Sequence, residues 1–473
     1  MIHDLKPYPA YKDSGLPWLG QVPKHWEMER AKLMFRKMDR PVRDIDEVVT
    51  CFRDGVVTLR RNRRVRGFTE SLKEIGYQGI RRGDLVIHAM DAFAGAVGVA
   101  DSDGKGTPVY SVCEPATGTN SHYYAYTVRE MARSQWILAL AKGIRERSTD
   151  FRFDGFASQL VPLPPLPEQS AIVRFLDHVD RRIRRYIGAK QKLIKLLEEQ
   201  KQVIIHRAVT RGLDPNVRLK PSGIEWLGEV PEHWRVLPIK RAFVSMDYGI
   251  SESAIDAGTI RLLTMGNIND GRVTIPETGG VAAVDASFLL EVGDLLFNRT
   301  NSSELVGKVG LYTGADLPVT FASYLVRLRP RREHDPEYLN AILNDVSVLS
   351  IARREAIPSL HQSNLNPTRY GRLQVSLPPL EEQRGILQYL KSETSDLDRA
   401  IAAAHQEISL LREYRTRLIA DVVTGKLDVR EAAPNLPDEP HEMESLEQAE
   451  ALTENGEESD VDDVTINAGE VEA

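Results

Sequence analysis

The dominant hydrophobic pattern in this chain is a heptad repeat, and it occurs twice. Residues Leu163–Asp214 and Leu377–Asp428 align without a gap at a constant offset of 214. Slots spaced alternately three and four apart run from 173 to 208 in the first copy. Eight of the eleven are apolar in both copies: Val173/Leu387, Leu176/Leu390, Ile183/Leu397, Ile187/Ile401, Ile194/Ile408, Leu197/Leu411, Ile204/Leu418 and Ala208/Val422. Asp180, Lys190 and Lys201 interrupt the first copy. An apolar stripe of this period predicts a helix whose seam needs a partner, with polar breaks that set its register. The chain supplies one partner of matching length, so the pattern predicts two helices of about forty residues, each ~60 Å long, zipped against each other. Two unrelated surface helices are the plainer alternative.

Each copy opens with the same turn, Leu163-Pro-Pro-Leu-Pro-Glu-Gln169 and Leu377-Pro-Pro-Leu-Glu-Glu-Gln383. The prolines end any preceding strand, and the Glu-Gln pair suits a first helical turn with its open N–H groups. A second repeat lies upstream of each copy: Ser14–Glu27 matches Ser222–Arg235 around Trp-Leu-Gly-x-Val-Pro-x-His-Trp. Its offset of 208, against 214 downstream, makes the second intervening domain six residues longer than the first. Trp18/Trp26 and Trp226/Trp234 read as packing residues of a rigid docking turn, with base-stacking aromatics as the alternative.

Between the repeats lie two variable segments, 28–160 and 236–374. In the first, Glu47–Cys51, Gly83–His88, Gly95–Ala100 and Tyr123–Val128 are short apolar runs bounded by Gly, Asp and Pro, which predict strands of a compact α+β unit. A helix is expected from Ala132 to Ile144. The second segment repeats the Gly-Asp-Leu strand at Gly293. The strand ends differ: His88, Met90 and Asp91 in the first, Asn298, Arg299, Thr300 and Asn301 in the second. Dissimilar polar tips on one scaffold suit the donor and acceptor code of base edges; ordinary strand-end loops are the rival reading. The densest basic patch is Arg60, Arg61, Asn62, Arg63, Arg64 and Arg66. Guanidinium forks pair with phosphates or guanine edges, and a solvated charged loop is the alternative.

Composition changes the charge picture. The net charge is −7, but residues 431–473 hold fifteen Asp or Glu and no Lys or Arg, leaving 61 basic against 53 acidic groups in the rest. The body is basic, which fits a polyanionic partner. The acidic segment is poor in large apolar residues and is expected to be disordered after Asp428. The two cysteines, Cys51 and Cys113, read as buried thiols. No apolar run of membrane-spanning length and no signal peptide is evident, so a cytoplasmic protein without a membrane partner is expected.

Catalytic signatures are missing. Gly425-Lys426 is followed by Leu427, so it is no phosphate loop; there is no Asn-Pro-Pro-aromatic run, and the histidines lack metal-ligand spacing. The sequence favours a binding protein without metal or catalytic residues.

The doubled Trp-Leu-Gly-x-Val-Pro-x-His-Trp, the doubled Leu-Pro-Pro-Leu-x-Glu-Gln, the Gly-Asp-Leu strands and the ending Val423-Thr-Gly-Lys-Leu-Asp428 resemble the DNA-specificity subunit of type I restriction–modification enzymes. The resemblance covers the chain to about Arg430; the first copy departs from the ending with Arg211-Gly212. It implies an α+β chain with two similar target-recognition domains separated by a long antiparallel two-helix coiled coil, related by a pseudo-two-fold internal repeat. The expected order is docking segment 1–27, recognition domain 28–160, helix 161–214, docking segment 215–235, recognition domain 236–374, helix 375–430 and acidic tail 431–473. The seam would be Leu176, Ile183, Ile187, Ile194, Leu197 and Ile204 with Leu390, Leu397, Ile401, Ile408, Leu411 and Leu418. The family further implies double-stranded DNA as ligand, two adenine-modification subunits using S-adenosylmethionine, and a restriction or motor subunit using ATP and Mg²⁺. No cofactor is expected on this chain. A coiled-coil scaffold for other proteins, or the specificity chain of a combined restriction–methylation enzyme, would share much of the pattern.

Overall fold

The computed structural model describes residues 5–63, 75–140, 150–256, 258–359 and 362–437. The chain divides into two compact units, Met1–Lys190 with Gln406–Ala473, and Gln191–His405. Each unit owns part of both long helices.

In the first unit an antiparallel sheet is built from β1 (Phe35–Lys37), β2 (Leu85–His88), β3 (Val97–Val99) and β4 (Tyr110–Pro115), in the spatial order β1-β4-β2-β3. Leu85, Val86 and Ile87 are all fully buried, so β2 shows no alternation because both of its faces are covered. Val86 belongs to a cluster with Val49, Cys51 and Val57 of the hairpin Val49–Cys51/Val57–Leu59. Helix α1 (Ser121–Arg133) packs on β2 and β3.

This corrects one expectation. Tyr123–Val128 is helical, because the Asn120 side chain caps α1 by accepting from His122 N and Tyr123 N. Tyr123, Tyr124, Thr127, Val128 and Met131 bury one helical face, and this spacing outweighs the strand propensity of the aromatic and β-branched residues. The helix expected from Ala132 is correspondingly displaced: α1 ends at Arg133, a short helix spans Trp136–Leu140, and residues 141–144 lie outside the described residues.

Helix α2 (Leu166–Arg211) is 46 residues long. The second unit repeats the sheet with β5 (Phe243–Tyr248), β6 (Leu295–Asn298), β7 (Val309–Leu311) and β8 (Leu325–Pro330) in the order β5-β8-β6-β7, extended by Arg272–Val273 and Ile268–Asn269. Helix α3 (Pro336–Leu343) takes the place of α1, capped by the Asp335 side chain. Helix α4 (Leu380–Val423) spans 44 residues.

The Gly-Asp-Leu motif has the same role in both units. Gly83 and Gly293 adopt φ of +94° and +97°, a conformation that favours glycine. Asp84 and Asp294, 3% and 2% exposed, each accept the backbone N–H three residues earlier, from Arg81 and Glu291. Arg40 and Arg329 hold their carboxylates.

The three polar breaks in the first heptad copy all meet opposite charges. Within the first unit Asp180 pairs with Arg415, and Lys190 Nζ lies 2.7 Å from Glu407. Within the second, Lys201 Nζ lies 2.5 Å from Asp398. Rising numbers on α2 meet falling numbers on α4, so the segments run antiparallel inside each unit. Leu176, Ile183, Ile187, Ile194, Leu390, Ile408 and Leu418 are buried, while Leu197, Ile204, Leu397, Ile401 and Leu411 are half-buried.

Order also persists beyond Arg430. Val429, Ala433 and Leu436 are buried, and Arg174 Nη2 donates to Leu436 O at 3.0 Å. These apolar side chains carry the folded first unit to Pro437, past the point where disorder was expected; 438–473 lie outside the described residues.

Candidate nucleic-acid interface

The docking turns position the heads. Trp26 and Trp234 are fully buried, which excludes them as base-stacking platforms; Trp18 and Trp226 are half-buried. Glu168, 4% exposed, accepts from Trp26 Nε1 at 2.8 Å and Tyr8 OH at 2.7 Å, with His25 Nε2 at 2.8 Å. Glu382 repeats this with Trp234 Nε1 at 3.0 Å and His233 Nε2 at 2.7 Å.

The following glutamine ties the same helix start to the head. Gln169 Oε1 accepts from Asn120 N and Gln383 Oε1 from Asp335 N, the cap residues of α1 and α3. Gln169 Nε2 and Gln383 Nε2 donate to Pro164 O and Pro378 O. The Pro-Pro-Leu-x-Glu-Gln turn is therefore a joint in which one side chain grips the docking tryptophan and the next grips the head helix.

In the first head, the turn Phe52–Val56 brings two separately predicted groups together. Arg53 Nη2 lies 3.1 Å from Asp91, and Arg63 pairs with Asp54 at 2.8 Å while its guanidinium lies 4.4 Å above the Phe52 ring. Burial pushes the Asp54 carboxyl up, but the Arg63 hydrogen bond and charge, with the Val56 N–H, hold it below the usual range. Arg61 pairs with Glu47 at 2.7 Å and stays largely exposed. Asn62 Nδ2 donates to Thr58 and Arg60 Nε to Thr50. Arg64 and Arg66 lie outside the described residues.

At the end of β2, His88 stands opposite Tyr110, and its Nδ1 accepts the Asp91 N–H. Burial lowers the His88 pKa, which the Asp91 charge only partly offsets. Met90 is 46% exposed at the tip.

In the second head the equivalent strand ends at Asn298, opposite Leu325. Asn298 and Thr300 are buried, and Asn298 Nδ2 donates to Met265 O at 3.2 Å; in this conformation both side chains brace the tip. Asn301 is half-buried, its Oδ1 accepting from Ser302 N. Arg299 donates from Nη1 to Ser323 O and from Nη2 to Asn364 Oδ1, both at 3.2 Å, and its guanidinium lies 5.2 Å from the Tyr248 ring centre. Tyr248 and Tyr324 are each 46% exposed beside it. Sequence reasoning missed these two tyrosines and Arg53, because each flanks a strand or turn and belongs to no period or motif.

Among the described residues no group of three His, Cys, Asp or Glu side chains is arranged to hold a metal ion. Cys51 and Cys113 are buried free thiols. No described helix is long and apolar enough to cross a membrane. The two tips offer arginines, tyrosines, a histidine and a methionine, groups that recognise rather than transform a ligand.

Comparison with known proteins locates this arrangement. No family model matches the chain. It is 29% identical over 204 residues to a protein of Methanocaldococcus jannaschii assigned as the MjaX type I restriction enzyme specificity subunit, covering 42% of this chain and 47% of that one. It is 24% identical over 285 residues to the MjaVIII specificity subunit of the same organism, covering 58% and 64%. It is 21% identical over 283 residues to the EcoKI specificity subunit of Escherichia coli K12, covering 58% and 59%. The matched stretches thus span less than two thirds of each relative. A solved chain from work on complex assembly and conformational transition of the type I restriction–modification system shares the fold, with a TM-score of 0.59 and 17% identity over 86% of this chain and 99% of that one.

Proposed function

We propose that this chain, which falls in the family of type I restriction enzyme specificity subunits, is the non-catalytic DNA-reading subunit of a restriction–modification complex. Each head reads one half of a bipartite, asymmetric duplex site. The paired α2 and α4 act as a ruler for the unread gap and dock two adenine-modification subunits, and a motor subunit completes the assembly. S-adenosylmethionine, ATP and Mg²⁺ belong to those partners.

The observation that carries this reading is the repetition of one sheet order, β1-β4-β2-β3 and β5-β8-β6-β7, beneath dissimilar tips. Selection for one recognition task would favour like tips, whereas an asymmetric bipartite site requires two. Arg299 beside Tyr248 and Tyr324 combines a guanine-edge donor with aromatic faces, and Met90 with Asp91 supplies an apolar contact and an acceptor. The exposed Arg61 suits a phosphate. Half-sites read from one duplex face lie about 10 bp apart centre to centre, one turn of the double helix, and a stiff helix pair holds such a spacing where a flexible linker would not.

Replacing residues 28–160 with the corresponding domain of a relative should alter one half of the methylated site in a methylome map and leave the other unchanged. Alteration of both halves, or of neither, would overturn the assignment. Inserting one heptad at matching places in both helices should lengthen the gap or abolish methylation; an unchanged gap would remove the ruler.

A further inference from the structure

Arg174, Arg181 and Arg185 occupy positions i, i+7 and i+11 of α2, a single stripe of the helix, with Arg182 at its flank. Arg174, Arg182 and Arg185 are exposed and Arg181 is half-buried. The equivalent residues of α4, 214 positions on, are Gln388, Ser395, Asp396 and Arg399. The apolar seam is duplicated, but the arginine stripe is confined to one copy.

What distinguishes that copy is the end of the chain. Leu436 is buried on the first unit, and its carbonyl accepts from Arg174, the first arginine of the stripe. Asp438 and Glu439 follow two and three residues later, and the 36 residues from Asp438 contain fourteen Asp or Glu and no Lys or Arg. From Arg174 to Arg185 the stripe measures roughly 17 Å at ~1.5 Å per residue, and about six extended residues cover that length.

We infer that the acidic C-terminal segment Asp438–Ala473 docks along the Arg174–Arg185 stripe of α2. Single exposed ion pairs contribute little, but tethering at Leu436 makes every contact intramolecular, and the effective concentration of a short tether multiplies weak contacts. The docked segment neutralises a stripe that would otherwise bind any polyanion, duplex DNA included, without regard to sequence. It thereby keeps the affinity of the first unit for its heads' target above that for random DNA. The docking is weakened by salt, because its contacts lie at the surface.

The test needs no DNA and no methylation, so its failure is separable from that of the recognition role. A fluorescent peptide of residues 438–473 is titrated by anisotropy, at low salt, into two full-length chains: the unaltered one, and one with Asp438→Asn, Glu439→Gln, Glu442→Gln, Glu444→Gln and Glu447→Gln. The neutralised chain should bind the peptide at least about tenfold tighter, because its own segment no longer competes in cis. Adding Arg181→Glu, Arg182→Glu and Arg185→Glu, or the milder Arg182→Gln with Arg185→Gln should a melt show misfolding, should abolish or weaken that binding. Equal binding to the unaltered and neutralised chains, or indifference to the arginine changes, would overturn the inference. Gain of random-duplex binding through these arginines without peptide binding would assign the stripe to DNA and overturn it as well.

Discussion

The two units are most alike where they are buried and least alike where they meet solvent. Sheet order, the buried Gly-Asp turn, the tryptophan held by a helix-start glutamate and the glutamine that grips the head helix all recur. The strand ends do not: His88 stands where the second unit has Asn298, and Met90 where it has Thr300. The arginine stripe and the buried chain end at Leu436 belong to the first unit. Buried joints are constrained by packing and by the cost of unpaired polar groups, whereas tips are constrained by what they contact.

The comparison can be strained first at the seam. Ile183 is 5% exposed and its counterpart Leu397 is half-buried. Ile183→Ala should therefore destabilise by about 2–4 kcal/mol and Leu397→Ala by about half as much, since cavity cost follows burial. Denaturant midpoints of the full chain check the ranking, and equal losses would mean that the two copies are packed alike after all.

The glutamate joints come next. Glu168 is nearly buried and holds Tyr8, His25 and Trp26, while Glu382 is 31% exposed and holds only His233 and Trp234 among the described residues. Glu168→Ala, which leaves buried donors unpaired, should cost about 2–3 kcal/mol and Glu382→Ala about 1 kcal/mol, read by the same unfolding curves.

Recognition should respond to Arg299. Its replacement by Ala should weaken binding of the cognate site by about 1–3 kcal/mol, relaxing the preference in one half-site only. A competition assay with each half-site scrambled in turn distinguishes this from a general loss of affinity.

The smallest effect concerns pH. Burial depresses the His88 pKa below its ordinary value, so the unfolded chain binds the proton more readily. The stability contributed by neutral His88 is complete above about pH 6.5, the usual value for the free side chain, and declines as pH falls through it. Hydrogen exchange, corrected for intrinsic rates, should show β2 losing protection on acidification, with His88→Asn removing the effect and β6, which ends in Asn298, showing none.

Much of this organisation was legible in the chain. A gapless duplication with period 3.5 specifies a seam, and Asp180, Lys190 and Lys201 mark its register by requiring opposite charges across it. The Gly-Asp-Leu strands were readable because glycine at positive φ and three consecutive apolar residues leave few alternatives. Tyr123–Val128 was misread because a short aromatic run has no period long enough to separate strand from helix, and the decision came from Asn120 one turn earlier.

What only the tertiary structure decided were meetings between residues distant in sequence: Glu168 with Tyr8 and Trp26, Arg174 with Leu436, Arg299 with Tyr248 and Asn364. Local patterns record which face of an element is apolar, because burial repeats with the element's own period. Polar partnership has no period. Hydrogen bonds and ion pairs act over about 3 Å, and which side chains come within that reach is set by how the elements pack.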